Sequence, residues 1–320
     1  MKDQILVIGA CGQMGTELTT ALRVQYGRDN VIAADIQVHP PGITNYMWLD
    51  VLDYTQLEKT VRECRITQIY LLTAMPPASG EQNAEDAWRS NVRGLLSVLK
   101  IAATYPLDKV FWPSSIAVFG PGSPKHNCPQ QTWIEPNTVY GISKRAGEYW
   151  CNYYFEKYGV DVRSLRLPGL VSHTAPPGRG TTDYAVDIFH QAIATQNYTC
   201  FLSEETCLPM MYMPDAVRAA LELMNAPKKN IKIRTSYNLA GMSFAPCDLA
   251  FAIKKHIPAF SINYQPDHRQ AIADCWPVSL NDLPSRQDWG WQQQYDIDTM
   301  VTDMLQNLRT EKAVCTKMLM

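Results

Sequence analysis

Short apolar runs alternate with amphipathic helical patterns from residue 5 to residue 167. Glycines at 9, 12 and 15 mark the first strand-to-helix turn, and an aspartate ends the second strand. These three observations predict an α/β fold: a doubly wound parallel sheet over residues 1–167, followed by a smaller C-terminal α/β portion over 168–320. With 320 residues, 46% of them hydrophobic, the chain has ample material for such a core. A net charge of -2 and a pI near 6.3 give no electrostatic case for nucleic acid or an anionic membrane as partner. No apolar run is long enough to span a bilayer. The opening residues lead straight into Ile5-Leu6-Val7-Ile8 with no room for a targeting peptide. A cytoplasmic location is therefore expected, or the mitochondrial matrix if a transit peptide has been removed. The nine cysteines are scattered and form no Cys-x-x-Cys pair, so they read as reduced thiols, and no metal site is expected.

Ile5–Ile8 is a strand buried on both faces. Gly9-Ala10-Cys11-Gly12-Gln13-Met14-Gly15 follows, then a helix carrying Leu18, Leu22 and Tyr26. Gly9, Gly12 and Gly15 let the backbone turn tightly and let a pyrophosphate approach the amides at a helix N-terminus. Val31–Ala34 is the second strand. Asp35 stands 20 residues after Gly15, where a carboxylate accepts hydrogen bonds from an adenosine ribose. Ile36 and Gln37 follow, with no cation for a 2′-phosphate, which favours NAD over NADP. A third strand, Tyr46–Leu49, ends at Asp50-Val51, placed to cover adenine. A fourth, Ile69–Leu72, runs into Thr73-Ala74 at the end where ligands bind in open α/β sheets.

Residues 75–85 form an exposed loop. The helix from Trp88 to Ala103 carries an apolar stripe together with Asn91, which is either a solvated position or a water anchor. The fifth strand, Lys109–Trp112, leads to Pro113-Ser114-Ser115, and the two hydroxyls are placed to polarise a substrate oxygen. Ordinary turn serines are the other reading. Beyond the loop 120–137, Tyr140 and Lys144 lie four apart at the start of a helix, so both side chains share one face. A lysine ammonium beside a phenol favours the phenolate and makes it a base near neutral pH. Asp161–Leu167 is the sixth strand. Strands Thr199–Phe201 and Met210–Met213, and helices 184–196, 216–224 and 249–257, form the smaller portion. A C-terminal helix is expected to lose its pattern after Arg309.

Taken together, Gly9/Gly12/Gly15, Asp35, Ser114-Ser115 before Ile116-Ala117-Val118-Phe119-Gly120, and Tyr140/Lys144 resemble the extended short-chain dehydrogenase/reductases, a Rossmann-type group that also contains nucleotide-sugar epimerases. Within that group the chain is similar to the short-chain L-threonine 3-dehydrogenases. Downstream this rests on Arg166-Leu167-Pro168-Gly169, Gly180-Thr181-Thr182-Asp183-Tyr184-Ala185, Leu208 to Asp215, Ile272-Ala273-Asp274-Cys275-Trp276-Pro277 and Asp288-Trp289-Gly290-Trp291. The resemblance implies NAD as cofactor and L-threonine as substrate. It implies that Tyr140 takes the hydroxyl proton, that Lys144 lowers its pKa and binds the nicotinamide ribose, and that Ser115, assisted by Ser114, holds the hydroxyl. It also implies cofactor contacts from Gln13, Met14, Ile36, Leu72, Asn91, Leu167, Pro168 and Leu170. Substrate contacts are implied from Ser79, Gly180, Thr181, Thr182 and Trp276, and pairing into a homodimer through the Tyr140 helix and the Trp88–Ala103 helix. Two other readings stay open: an NAD-dependent nucleotide-sugar 4-epimerase or dehydratase, and a non-catalytic NAD-sensing protein.

Overall fold

A computed structural model describes residues 3–38, 42, 44–75, 81, 83–178 and 180–318. Strand β1 (Ile5–Ile8) leads through the glycine turn to helix α1 (Gln13–Tyr26), and β2 (Val31–Asp35) and β3 (Tyr46–Trp48) follow. Helix α2 (Tyr54–Glu63) crosses to β4 (Gln68–Leu71). Helix α3 (Ala84–Trp88) and α4 (Gly94–Thr104), joined by a π turn over Arg89–Arg93, cross to β5 (Lys109–Phe111) and β6 (Ser114–Ser115). Helix α5 (Val139–Tyr158) then leads to β7 (Val162–Arg163) and β8 (Leu165–Leu167). The hydrogen-bonded order is β3-β2-β1-β4-β5-β7, with every pair parallel. That is the doubly wound sheet the alternation predicts.

Side chains on successive residues of β1 go to opposite faces, as a pleated strand requires. Ile5 and Val7 join a core with α1 and with residues 211–239, while Leu6 and Ile8 join another beneath α2 and α4. The expected sixth strand, 161–167, is interrupted at Ser164, whose hydroxyl turns to Ser236 at 2.7 Å. Beyond the break, β8 pairs with β6 on one side and with β12 (Tyr237–Asn238) on the other.

The remaining elements lie between and after these. They are β9 (Gly169–Val171), α6 (Tyr184–Ala194), β10 (Asn197–Cys200), β11 (Leu208–Tyr212) and α7 (Met213–Asn225), then β13 (Met242–Phe244), α8 (Pro246–Lys254), β14 (Ser261–Tyr264), α9 (His268–Ala273), α10 (Leu283–Trp289) and α11 (Ile297–Met318). Strand β11 stops at Tyr212, one residue earlier than expected, because Pro214 opens α7, where its missing N–H and preset φ suit a first helical turn. The backbone of α11 continues to Met318, past the expected loss of pattern at Arg309. Around α6, α8 and α11 lies a third core containing Phe189, Leu249, Met300 and Leu305. No helix among the described residues is long and apolar enough to cross a membrane.

Candidate functional site

The C-terminal ends of β1, β4, β6 and β8 open onto one cleft of about 540 Å³, bounded on its far side by Ala175, Pro176, Gly178, Thr181, Thr182, Asp183 and Trp276. Sixteen of the residues singled out from the sequence line it: Gly12, Gln13, Met14, Leu72, Ala74, Ser114, Ser115, Tyr140, Lys144, Leu167, Pro168, Leu170, Gly180, Thr181, Thr182 and Trp276. The expectation for Ser79 lies outside the described residues.

Helix α5 presents Tyr140 and Lys144, the pair singled out from the sequence. Thr138 caps its N-terminus, accepting from the Gly141 amide at 3.0 Å. At Gly141 a Cβ would stand 2.1 Å from the Ala117 carbonyl, so glycine lets the first turn of α5 rest directly on the 116–118 turn. That contact brings Tyr140 over Ser115. The Ser115 oxygen accepts from the Ala117 amide at 3.2 Å, and the same side chain stands near enough to the Tyr140 phenol to draw its pKa down. Lys144 is buried, and its Nζ donates to the Pro113 carbonyl at 2.6 Å. It lies 4.6 Å from the Trp112 ring centroid and 5.5 Å from that of Tyr140. Burial pushes the Tyr140 phenol up to about 12, against the effect of Ser115. Burial also pushes the Lys144 ammonium down to about 7, against nearby Cys151 and Glu148. In the chain by itself, desolvation therefore outweighs the expected lowering of the phenol by the lysine.

Asn91 does not line the cleft. It is buried in the π turn, where its Oδ1 accepts from the Met75 amide at 2.7 Å and its Nδ2 donates to Ser143 Oγ at 3.0 Å. Ser143 in turn donates to the Tyr140 carbonyl at 2.7 Å. The side chain thus ties the end of the β4 loop to the helix that carries Tyr140 and Lys144. A π turn at such a place is common near functional sites. Ser114 lines the cleft, but its hydroxyl donates to Glu148 at 2.8 Å, away from the place beside Ser115 expected of it.

The glycine turn fits a dinucleotide. Gly9 has φ +88°, and a Cβ on Gly15 would stand 2.1 Å from the Gly9 carbonyl, so neither position accepts a side chain. Beside Gly12 the nearest atom to such a Cβ is 3.4 Å away, and no side chain among the described residues caps α1. The helix N-terminus is left for an anion. Asp35 is buried at the end of β2 and accepts from the Cys11 amide at 3.0 Å and the Gln37 amide at 3.3 Å, which aims it beside this turn. Exposed Ile36 follows it. The Thr73 hydroxyl is buried with no partner among the described residues, a donor awaiting an acceptor. Asp50 accepts from the Leu52 amide at 2.9 Å, whereas Val51 is buried in the core beneath α2 and α4.

The sequence pattern of the NAD dependent epimerase/dehydratase family matches residues 5–240. The chain belongs to this family. NAD is accordingly its cofactor, and the glycine turn, Asp35 and Thr73 are consistent with it. Among relatives, the mitochondrial L-threonine 3-dehydrogenase of Bos taurus is 42% identical over 308 residues, covering 95% of this chain and 82% of that protein. A GalE-like L-threonine dehydrogenase from Cupriavidus necator, in its holo form, superposes with a TM-score of 0.94 at 53% identity, covering 95% and 99% of the two chains. A monomeric L-threonine 3-dehydrogenase from a metagenome, in its apo form, superposes with a TM-score of 0.93 at 45% identity, covering 96% and 99%.

Several lining residues of this epimerase/dehydratase-family cleft are not among those the sequence marks as site residues: Pro113, Ile116, Ala117, Ala175, Pro176 and Asp183. Asp183 accepts from the Gly180 amide at 2.6 Å, and burial raises its carboxyl above the usual range. Its signal was its place directly after Thr181-Thr182. Ile116 and Ala117 stood in the sequence only as part of the family-like stretch after Ser115, and they reach the cleft because Ser115 caps the turn that follows it.

Proposed function

We propose that the protein oxidises L-threonine at C3, giving 2-amino-3-oxobutanoate, with NAD as oxidant. The observation that carries this reading is the single cleft that gathers Tyr140, Lys144 and Ser115 on one wall, with Thr181, Thr182, Asp183 and Trp276 on the other. Ser115 orients the C3 hydroxyl, and Tyr140 accepts its proton as the C3–H bond breaks. Lys144 stabilises the phenolate and holds ribose hydroxyls. Bound NAD supplies the hydride acceptor and a positively charged ring. Gly12, Gln13, Met14, Asp35, Ile36, Leu72, Ala74, Leu167, Pro168 and Leu170 hold the dinucleotide, and Thr73 donates to it. Thr181 and Thr182 bind the amino-acid head group, beside Trp276, whose Nε1–H is buried without a partner among the described residues.

In this reading residues 1–167 hold the cofactor and 168–320 the substrate, with 213–238 returning to the cofactor side. Steady production of NADH from added NAD and L-threonine tests it. Turnover of a nucleotide sugar without net NADH would replace it with the epimerase reading.

We infer a homodimer as well. Trp88, Ile142, Tyr149, Trp150 and Tyr153 are exposed along α3 and α5, and Trp150 meets Tyr153 edge-on at 5.7 Å. Such an apolar aromatic strip is characteristic of a subunit contact. The metagenome relative shows that a monomer is the alternative. Light scattering at micromolar concentration decides, and a monomeric mass would refute the inference. The bovine relative is mitochondrial. For this chain we retain the cytoplasm, or the matrix if a leader is removed.

A further inference from the structure

Glu148 and Arg166 form a buried ion pair at the foot of the cleft to which the roles above assign no task. Glu148 is fully buried on α5, one turn beyond Lys144 and two beyond Tyr140, so the three share a helical face. Arg166 in β8 is equally inaccessible. Its Nε donates to Glu148 Oε1 at 2.8 Å and its Nη2 to Oε2 at 2.9 Å, a two-pronged pair that fixes the carboxylate plane. The same guanidinium donates to the Asn238 side chain and the Gln130 carbonyl, each at 3.0 Å. Arg145 adds a contact to Glu148 Oε2 at 3.0 Å. The free side of Oε1 accepts the Ser114 hydroxyl at 2.8 Å. Ser114 stands directly opposite Arg166 in the β6–β8 ladder.

The residues flanking Ser114 make these contacts matter. Pro113 provides the carbonyl that holds Lys144, and Ser115 provides the side chain that acts on the Tyr140 phenol. We propose that Glu148, anchored by Arg166, is a positioning residue for the Tyr140–Lys144 pair, clamping the Pro113–Ser115 strand tip through the Ser114 hydroxyl. This rests on the proposed oxidation for its kinetic test. A pair that only fastened α5 to the sheet would not need Ser114, and its loss would leave the reactive groups in place.

The charge of Glu148 acts on Lys144 too. Around that ammonium stand Tyr140, Glu148 and Cys151 from α5 and the rings of Trp112 and Tyr140. Arg166 is paired to Glu148, and the π turn's Asn91 is uncharged and bonds Ser143. Glu148 favours the charged lysine against burial. Glu148→Gln keeps an acceptor for Ser114 while removing that charge. It therefore moves the Lys144 titration to lower pH.

The test combines an NMR titration of the cofactor-free protein labelled with carbon-13 at lysine Cε and steady-state kinetics. The Lys144 signal is assigned by its loss in Lys144→Ala. We expect Glu148→Gln to move its midpoint down by about one pH unit and Ser114→Ala to leave it in place. With L-threonine and NAD, each variant lowers kcat by about tenfold while KM stays within about threefold. Glu148→Ala removes the acceptor altogether, so the Glu148→Ala/Ser114→Ala double variant is no slower than the Glu148→Ala single by more than about twofold, because the two residues act through one contact. Multiplicative losses, losses confined to KM, or an unmoved lysine midpoint in a folded Glu148→Gln protein overturn the proposal. If Glu148→Gln does not fold, Ser114→Ala decides: a kcat within about twofold of wild type overturns it, and a tenfold fall at constant KM supports it. The titration uses neither substrate nor cofactor. A wild type that fails to oxidise L-threonine would therefore end the proposed function, and the lysine midpoint would still judge the clamp.

Discussion

Residues 161–167 carry two buried arginines three positions apart, and their surroundings differ completely. Arg163, in β7, pairs with Asp161 at 2.8 Å and donates to the carbonyls of Leu223, Met224 and Ala226 at the C-terminus of α7. Lys109 joins it on the Met224 carbonyl at 2.8 Å, and Arg234 also reaches Asp161. Burial works to raise the Asp161 carboxyl, and the two arginines more than offset this, holding it below the usual range. These cations satisfy the unpaired carbonyls and negative end of a helix dipole. Arg166, past the break at Ser164, instead meets a carboxylate on the helix of Tyr140 and Lys144. One stretch of chain, split at Ser164, thus fastens a helix end at one point and the helix of Tyr140 and Lys144 at the next. The difference lies in the partner element, since residue type and burial are the same.

The comparison is broken most strongly at the phenol itself. Tyr140→Phe keeps the ring and removes the proton acceptor, so kcat/KM for L-threonine falls by roughly 10³-fold, the scale of general base catalysis, with the thermal midpoint unchanged. The helix-end cluster responds the opposite way. Arg163→Met leaves Asp161 and helix carbonyls underpaired and costs about 3 kcal/mol of stability by denaturant titration, while the folded fraction turns over at the wild-type rate. A fall in kcat with stability intact would merge the two regions.

A third test uses pH. The Lys144 ammonium is depressed from 10.5 to about 7 in the folded chain. Between those values the unfolded state holds more protons, so stability attributable to this group rises with pH above about 7. Lys144→Met should abolish that rise, a difference of about 2 kcal/mol between pH 7 and pH 9 in cofactor-free protein by urea titration. Parallel pH curves for the two proteins would show that Lys144 is not desolvated. The smallest effect is remote from both regions. Asp35→Ala should raise KM for NAD about tenfold and leave KM for L-threonine within twofold, as loss of one ribose contact requires. Equal loss for both would remove the ribose role.

The parallel sheet, the glycine turn and Asp35 were legible because each depends on local pattern. Strand alternation, glycine at a turn with φ +88° and a strand-end carboxylate are short-range requirements. The same holds for Tyr140 and Lys144, one turn apart on a helix. Asn91 was legible only as a polar residue on an apolar stripe. That it bridges Met75 and Ser143 depends on a π turn that no spacing rule announces. Ser114 and Ser115 look alike in sequence, and the partner across the ladder separates them, since Glu148 takes one hydroxyl and Tyr140 meets the other.

The sequence by itself determined the sheet, the glycine turn and the placing of Tyr140 and Lys144 on one helical face, because helix and strand periodicity place neighbouring side chains without reference to distant chain. Tertiary structure alone decided which buried charges stand at the site. Glu148, Arg166 and Ser114 are 18 to 52 residues apart and meet only when α5 packs across β6 and β8. It also decided the electrostatics of Tyr140 and Lys144. Desolvation depends on everything packed around a group, and four residues of spacing carry no record of it.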